Sequence, residues 1–229
     1  MKFIELVVTV ILKKDIYFAD SGYVIGKNIN KLMLLDKDLR ELHVKKQYKN
    51  YVFNSFYPLE KDKLYKKGKA YVFKIRGLDD EFMKKVHKYL KVLDSDDFDV
   101  ISAAFEEIEQ GNIRELYTLT PVIITIDDRP WLQNNDLHLF IDRLESNLEK
   151  KYKSFFNESI DIKGKLIENI RFKNKVPMSF NYKNVKLLGN KISIDVKENI
   201  EAQKTAFLAL AVGIGEKNSA VGAGFCNRK

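Results

Sequence analysis

Three histidines are the candidates for proton transfer in this chain: His43, His87 and His138. His43 lies in the stretch DLRELHVKKQYKNYVF, where lysines and tyrosines alternate and the sequence predicts a polar loop. An imidazole can move a proton near neutral pH, ammonium groups bind phosphate, and aromatic rings stack on bases. The stretch therefore has the residue types for acid–base chemistry on RNA, although an ordinary polar loop in a lysine-rich protein would share its composition.

The other two histidines have no clustered partner in the sequence. His87 lies in EFMKKVHKYL on a predicted short helix, and His138 lies near the start of another helix. A positively charged imidazolium is disfavoured at a helix N-terminus. We therefore expect both to be solvated or capping residues.

Adjacent aspartates are the candidates for a magnesium site, because paired carboxylates can hold the ions of a two-metal nuclease. The pairs are Asp79–Asp80, Asp96–Asp97 and Asp127–Asp128. Each stands near the end of a predicted element, where aspartate commonly caps a helix or forms a turn. The sequence therefore predicts neither a metal site nor a cofactor.

A glycine-rich stretch, GIGEKNSAVGAGF, runs from Gly213 to Phe225. It follows a predicted helix and precedes a strand, which is the wrong order for a dinucleotide-binding fingerprint, and it lacks the Gly-Lys-Ser/Thr of a Walker A loop. Two interpretations remain open. The stretch is either a helix C-cap at Gly213 with a turn into an edge strand, or a loop whose unobstructed amides, with a few polar side chains, bind phosphate.

Length, charge and cysteine content narrow the class of protein. The 229 residues suffice for one large domain or two small ones, and the net charge of +8 favours a polyanionic partner. The single cysteine excludes an intramolecular disulfide and a multi-cysteine zinc site, which fits a reducing cytoplasmic location. The apolar N-terminal run is too short to span a bilayer, so we expect a buried first strand and no membrane partner.

The first half of the chain predicts the order βαββαβ. Apolar periodicity and β-branched residues indicate strands over 3–12, 51–57, 70–78 and 98–105, and helices over 20–35 and 79–90. This order is the ferredoxin-like plan.

The second half repeats the alternation. Strands are predicted over 119–126, 160–172, 178–188 and 191–197, with a hairpin turn at Gly189-Asn190, helices over 136–152 and 202–212, and a short C-terminal strand. The predicted fold class is α+β, with two tandem ferredoxin-like domains over 1–115 and 116–229 joined near residues 110–118.

The glycine-rich pattern, as the last loop of such a two-part chain, resembles the C-terminal motif of the RAMP superfamily. With YTLTPVIITI, YVFNSFYPL and AYVFKIR, the chain more narrowly resembles the CRISPR-associated endoribonucleases that cut repeat RNA. One departure is present: family members run from the lysine-asparagine-serine stretch almost directly into Gly-Phe-Gly. Here Ala220 and Val221 intervene before Gly222-Ala223-Gly224-Phe225.

The resemblance implies site residues. In this family a general acid–base histidine follows the first helix and a lysine six residues later assists it, and His43 and Lys49 match that spacing. Some members add a tyrosine on the first helix, where this chain has Ile29, so Tyr48 is the candidate for the third role. The residues expected to bind RNA are Lys45, Lys46, Gly213, Gly215, Lys217, Asn218, Ser219, Gly222 and Gly224.

The resemblance also implies an activity: metal-independent cleavage of CRISPR precursor RNA within its repeats, by attack of a 2′-hydroxyl that leaves a 2′,3′-cyclic phosphate and a 5′-hydroxyl. Repeat RNA is then the main partner, other proteins of an interference complex are further ones, and the protein is a monomer or a homodimer. The main alternative is a RAMP subunit that binds guide RNA without cutting it, for which His43 in its lysine-rich surroundings is not needed. A ferredoxin-like regulatory module for small ligands is the weaker alternative.

Overall fold

The computed structural model describes residues 1–133 and 136–229, which form two four-stranded antiparallel sheets with helices packed on them. The described strands are β1 (Lys2–Leu12), β2 (Ile16–Tyr17), β3 (Tyr51–Phe53), β4 (Leu64–Tyr65), β5 (Ala70–Gly77), β6 (Phe98–Glu109), β7 (Glu115–Thr118), β8 (Thr125–Ile126), β9 (Arg129–Pro130), β10 (Ile167–Phe172), β11 (Met178–Tyr182), β12 (Val185–Gly189), β13 (Ile192–Val196) and β14 (Cys226–Arg228). The described helices are α1 (Ser21–Met33), α2 (Lys37–Val44), α3 (Asp80–Leu90), α4 (Leu137–Phe156), α5 (Ile200–Val212) and α6 (Asn218–Val221).

The two sheets share one topology. The first has the order β3-β5-β1-β6 and the second β10-β13-β7-β14. Numbered within each half, both read 2-3-1-4, which is the strand order of a ferredoxin-like unit. The predicted α+β class with two tandem ferredoxin-like units is therefore confirmed.

Each half has its own core. In the first, Leu6, Val8 and Val10 alternate along β1 on the face that α1 and α3 cover. In the second, α4 and α5 pack on the sheet through residues such as Leu144 and Phe207. Helix α5 also contacts β3 and β5 of the first sheet, which explains why its sequence has almost no polar side.

The central strand of the second sheet lies earlier than predicted. β7 occupies 115–118, whereas 119–126 contributes only isolated bridges, Val122 to Asn190 and Ile123 to Glu216, before the short β8. The prediction of a strand over 119–126 is therefore wrong for most of its length. Pro121 is the physical reason, because a proline lacks the N–H that an interior strand must donate.

The hairpin turn in the second half is also displaced from its predicted place. β11 and β12 form their own two-stranded hairpin, with Tyr182 opposite Val185 and Met178 opposite Gly189. The turn therefore lies at residues 183–184, where Lys183 has φ 54°, and not at Gly189-Asn190.

The segment predicted as a loop after α1 contains a helix. The Asp36 carboxylate accepts hydrogen bonds from the amides of Asp38 and Leu39, and this N-cap begins α2. His43 therefore lies in the last turn of a short helix and not in a loop.

A buried arginine joins the two halves. The Arg76 guanidinium forms an ion pair with Glu5 (Nε–Oε2 2.6 Å), donates to the Cys226 carbonyl (2.6 Å), and stacks on the Phe225 ring (4.2 Å). Glu5 belongs to β1 and Cys226 to β14, so one side chain ties the first sheet to the last strand of the second. The chain passes between the sheets in 110–114, and a division into domains at 115/116 stays a prediction.

Candidate functional site

A cleft of about 420 Å³ lies between the two halves. Three regions border it: the basic segment (residues 45–50), helix α4, and the glycine segment (Gly213–Phe225). From the basic segment it is lined by Tyr48 and Lys49, and from the glycine segment by Gly215 and the run 216–220. The structure thus brings together residues that are more than 160 positions apart in the sequence.

The cleft is strongly basic. Five cationic residues line it against one acidic residue, Glu216; they are Lys49, Arg143, Lys150, Lys151 and Lys217. Within residues 1–133 and 136–229, none of these five has a carboxylate oxygen within 4.0 Å, whereas many other lysines of the chain form ion pairs. Unpaired cations around one concave surface attract an anion such as a phosphate backbone.

Lys49 closes the end of helix α2. Its ammonium donates to the carbonyl oxygens of Leu42, of His43 at 3.1 Å and of Lys45 at 2.7 Å. A cation at a helix C-terminus satisfies carbonyls that have no partner inside the helix. Burial, and next the charge of Lys45, lower the pKa of Lys49. Lys49 thus holds the backbone of His43 in addition to lining the cleft.

His43 itself is half-buried at the end of α2 and is not among the residues that line the cleft. Its carbonyl oxygen accepts a hydrogen bond from the Lys49 ammonium at 3.1 Å, so the structure brings together two residues that the family resemblance paired. Lys45 and Lys46 are exposed and border a shallower depression beside the cleft, together with Gln47, Tyr48 and Ser154.

Tyr48 borders both depressions. Burial, and next the negative charge of Glu216, raise the pKa of its phenol. The hydroxyl therefore keeps its proton at neutral pH. Tyr48 can donate a hydrogen bond to a phosphate but is a poor base.

The glycines of the glycine segment are packed against protein and not open to solvent. Gly213, Gly215, Gly222 and Gly224 are all buried with positive φ, and a Cβ on Gly224 would lie 1.8 Å from the Ile214 carbonyl oxygen. The expectation of unobstructed amides is wrong for three of them. The amides of Gly213, Gly222 and Gly224 donate to the carbonyls of residues 209, 218 and 121. The glycines permit close packing and left-handed backbone; their contact with RNA stays a prediction.

The polar residues of the glycine segment differ in exposure. Lys217 is exposed at φ 61°, and Ser219 is half-buried on the cleft side. Asn218 is buried, and its side-chain amide donates to the carbonyls of Ile214 at 3.0 Å and Ala223 at 2.7 Å. Both amide hydrogens of Asn218 are therefore used within the segment.

Sequence reasoning missed Lys151 on α4. Its side chain is 2% exposed, and its ammonium donates to the carbonyls of Gly213 at 2.8 Å and Gly215 at 2.7 Å and to Asn218 Oδ1 at 2.6 Å. The signal was available, because Lys151 continues the buried stripe of Leu144 and Leu148 at helical spacing.

Helix α1 has Ile29 where some family members have a tyrosine, and the two residues before it, Lys27 and Asn28, are engaged with Asp97. Ile29 is buried, Lys27 pairs with Asp97 at 2.6 Å, and the Asn28 amide donates to Asp97 at 2.7 Å. Asp97 is thus a buried ion-pair partner and not the cap or turn that was predicted. Asp79, which caps α3, is a predicted cap that the structure confirms.

The other two histidines lie apart from the cleft lining. His138 is exposed in the first turn of α4, as predicted. His87 is half-buried, and its Nε2 lies 2.9 Å from the Ala103 carbonyl of β6. The prediction that His87 is solvated or capping is therefore wrong, because α3 packs this residue onto the sheet.

Residues 1–133 and 136–229 offer neither a metal site nor a membrane-spanning helix. They contain no group of three His, Cys, Asp or Glu residues placed to hold a metal ion. None of their helices combines the length and apolarity that crossing a bilayer requires.

The class that these features define is a two-part ferredoxin-like protein whose C-terminal glycine segment packs between the halves. The chain belongs to the family described as CRISPR associated protein Cas6, C-terminal, whose model matches residues 104–227, more than half of the chain.

Individual proteins show the same likeness. The CRISPR-associated endoribonuclease Cas6 2 of Methanocaldococcus jannaschii is 25% identical over 213 residues, which cover 85% of this chain and 87% of that protein. Among solved structures, a CRISPR associated protein Cas6 superposes with a TM-score of 0.73 at 18% identity and 99% coverage of both chains. A RAMP protein described as binding different RNA substrates gives 0.73 at 14% identity, again with 99% of both chains covered.

Proposed function

We propose that this protein is an endoribonuclease that cleaves CRISPR repeat RNA, and that the cleft between its halves binds the RNA backbone. The single observation that carries the binding is the set of cations around one concave surface, of which Arg143, Lys150 and Lys217 are exposed. The cleavage is supported by family membership and by the naming of the Methanocaldococcus relative as an endoribonuclease.

The reaction we propose needs no metal. The 2′-hydroxyl loses its proton and its oxygen attacks the adjacent phosphorus; the bond from phosphorus to the 5′-oxygen breaks, and that oxygen takes up a proton. The products are a 2′,3′-cyclic phosphate and a 5′-hydroxyl. His43 exchanges protons with the attacking or the leaving oxygen, as an imidazole can near neutral pH.

Lys49 and Tyr48 act on the phosphate in this proposal. Lys49 stabilises the extra negative charge of the pentavalent phosphorus, and Tyr48 donates a hydrogen bond because its raised pKa keeps the phenol protonated. Lys45, Lys46, Lys217 and Ser219 bind neighbouring phosphates from the two sides of the cleft.

The test is cleavage of repeat RNA by purified protein in EDTA, compared with the His43→Ala variant and with RNA carrying a 2′-deoxy residue at the cut site. We expect cleavage by the wild type, loss of about 10²- to 10⁴-fold in rate for His43→Ala, and none on the deoxy substrate. His43 is half-buried at a helix end, so the variant should keep its thermal stability within about 0.5 kcal/mol.

His87→Ala is the matched control, because it removes a half-buried histidine whose ring nitrogen lies against the Ala103 carbonyl of β6. Its cleavage rate should equal that of the wild type. Binding without cleavage by the wild type would instead favour the non-cutting RAMP subunit. Full activity of His43→Ala would leave the endoribonuclease proposal in place and refute His43 as the group that exchanges protons.

A further inference from the structure

Lys151 has an unusual environment for a lysine. It projects from α4 into the base of the glycine segment, and its ammonium has three hydrogens for three oxygen acceptors, the carbonyls of Gly213 and Gly215 and Oδ1 of Asn218. Within the described residues no carboxylate lies within 4.0 Å of it. A buried charge without a counter-ion is costly, so it persists only where hydrogen bonds compensate for lost water.

The three acceptors span the turn that carries the cleft-facing residues of the glycine segment. Gly213 and Gly215 precede Glu216 and Lys217, and Asn218 follows them. The Asn218 amide in turn donates to the carbonyls of residues 214 and 223, so the ammonium and this amide together close the segment on itself. The cleft-facing turn therefore has its shape fixed from behind, by a residue of a different element.

We propose that Lys151 is a positioning residue for RNA binding. Its protonated side chain holds the turn 213–218 in the shape that binds RNA, and bound RNA in turn favours the protonated form. This inference rests on the proposed function, because it concerns binding of the same RNA in the same cleft.

Deprotonation would remove one of the three hydrogen bonds. A neutral amine has two hydrogens for the three oxygens, so one acceptor would be left without a partner. Burial lowers the pKa of Lys151 to about 7, and the negative charge of Glu216 partly opposes that shift. The turn is therefore held fully below neutral pH and is loosened as the pH rises through 7.

The charged and titratable groups around Lys151 come from every side of the cleft. Glu216 and Lys217 belong to the glycine segment, Tyr48 and Lys49 to the basic segment, and Arg143 and Lys150 to α4 itself. Most are cations, among which RNA phosphates would bind. Phosphates bound among them would reverse the local sign and raise the pKa of Lys151. RNA binding should then take up a proton.

The first measurement is the affinity for a 2′-O-methyl repeat RNA, which cannot be cleaved through its 2′-hydroxyl, at fixed salt from pH 6 to pH 8.5. If RNA keeps Lys151 protonated over the whole range, wild-type affinity should fall about thirtyfold from pH 6 to pH 8.5 by proton linkage. In Lys151→Met, which has no proton to bind, the affinity should be lower at pH 6 and nearly independent of pH.

Lys150→Met is the matched control, because it removes the neighbouring, exposed cation from the same cleft without touching the turn. It should weaken binding at every pH and keep the wild-type pH dependence. A Lys151→Met variant with the wild-type pH dependence would overturn the proposal, and so would a Lys150→Met variant that loses it.

A second measurement does not depend on the folding of a variant. Calorimetric titration of wild type with the same RNA at pH 8, in Tris and in phosphate buffer, reports proton uptake from the difference in enthalpy. We expect close to one proton per RNA, and the same value in His43→Ala; no uptake would refute the inference.

The two proposals fail separately. Proton uptake on the methylated RNA together with no cleavage of unmodified repeat RNA would refute the endoribonuclease and keep Lys151 as the positioning residue. Cleavage of repeat RNA together with binding that is independent of pH would keep the endoribonuclease and refute the role of Lys151.

Discussion

The basic segment and the glycine segment border the same cleft, but the first presents mainly side chains and the second mainly packed backbone. The basic segment presents side chains: Lys45 and Lys46 are exposed, and Lys49 uses its ammonium to close helix α2. The glycine segment presents little side chain. Its four positive-φ glycines are buried, and its backbone bonds to the rest of the second half.

This difference follows from what each segment packs against. The glycine segment lies between the halves, where the Gly22 and Gly26 positions of α1 would place a Cβ 2.2 and 2.3 Å from the carbonyl oxygens of Val221 and Ala220. Backbone packed this closely tolerates no added atom. The basic segment has open space on one side, so its residue types can serve charge and binding. Substitutions in the two segments should therefore affect different properties.

The largest effect is expected for Gly224→Ala. The new Cβ would lie 1.8 Å from the Ile214 carbonyl oxygen, and the backbone has φ 69°. Overpacking and left-handed strain together should cost about 4 kcal/mol of the free energy of unfolding, measured by urea denaturation.

Gly68→Ala separates the two causes. Gly68 has φ 77° but nothing within 4 Å of a Cβ, so only the strain applies and the loss should be about 1 kcal/mol. Equal losses in the two variants would mean that the glycine segment is not closely packed.

An intermediate effect is expected for Lys49→Met. The variant removes a cation from the carbonyls of Leu42, His43 and Lys45, which should cost about 1 kcal/mol of stability by thermal denaturation. The repeat-RNA cleavage rate should fall as well, because His43 loses the group that holds its backbone.

Lys46→Met is the comparison for that variant, since it removes an exposed lysine of the same segment. Its stability should match the wild type within about 0.5 kcal/mol. A Lys49→Met protein that is equally stable would show that the ammonium does not support α2.

The smallest effect on folding is expected for the double variant Lys45→Ala and Lys46→Ala. Stability should be unchanged, but the dependence of RNA affinity on salt should weaken. The slope of log K against log salt should fall by about 1.4, because each phosphate of a single strand that a lysine neutralises contributes roughly 0.7. An unchanged slope, measured by anisotropy at several salt concentrations, would remove these lysines from the RNA interface and leave the cleft cations as its only basis.

Sequence patterns alone were enough to predict the fold class and most elements. Helices α1, α3 and α4 carry clear apolar periodicity, α5 is apolar on almost every side, and strands β1 and β5 are rich in β-branched and aromatic residues. The order of these elements predicts the ferredoxin-like plan because each apolar face must find a partner. The pairing of His43 with Lys49 came from the family resemblance and not from these patterns. The patterns misplaced β7 and the β11–β12 turn, where short strands have weak periodicity.

The assembly of the site, in contrast, depends on tertiary packing. The sequence indicated that the glycines were special but not whether they faced a ligand or their own protein, because positive φ and close packing require the same residue. Lys151 was hidden for a related reason. A lysine is ordinarily exposed, and its burial here depends on acceptors from residues 213, 215 and 218, which lie more than 60 positions away and reach it only when α4 and α5 pack together.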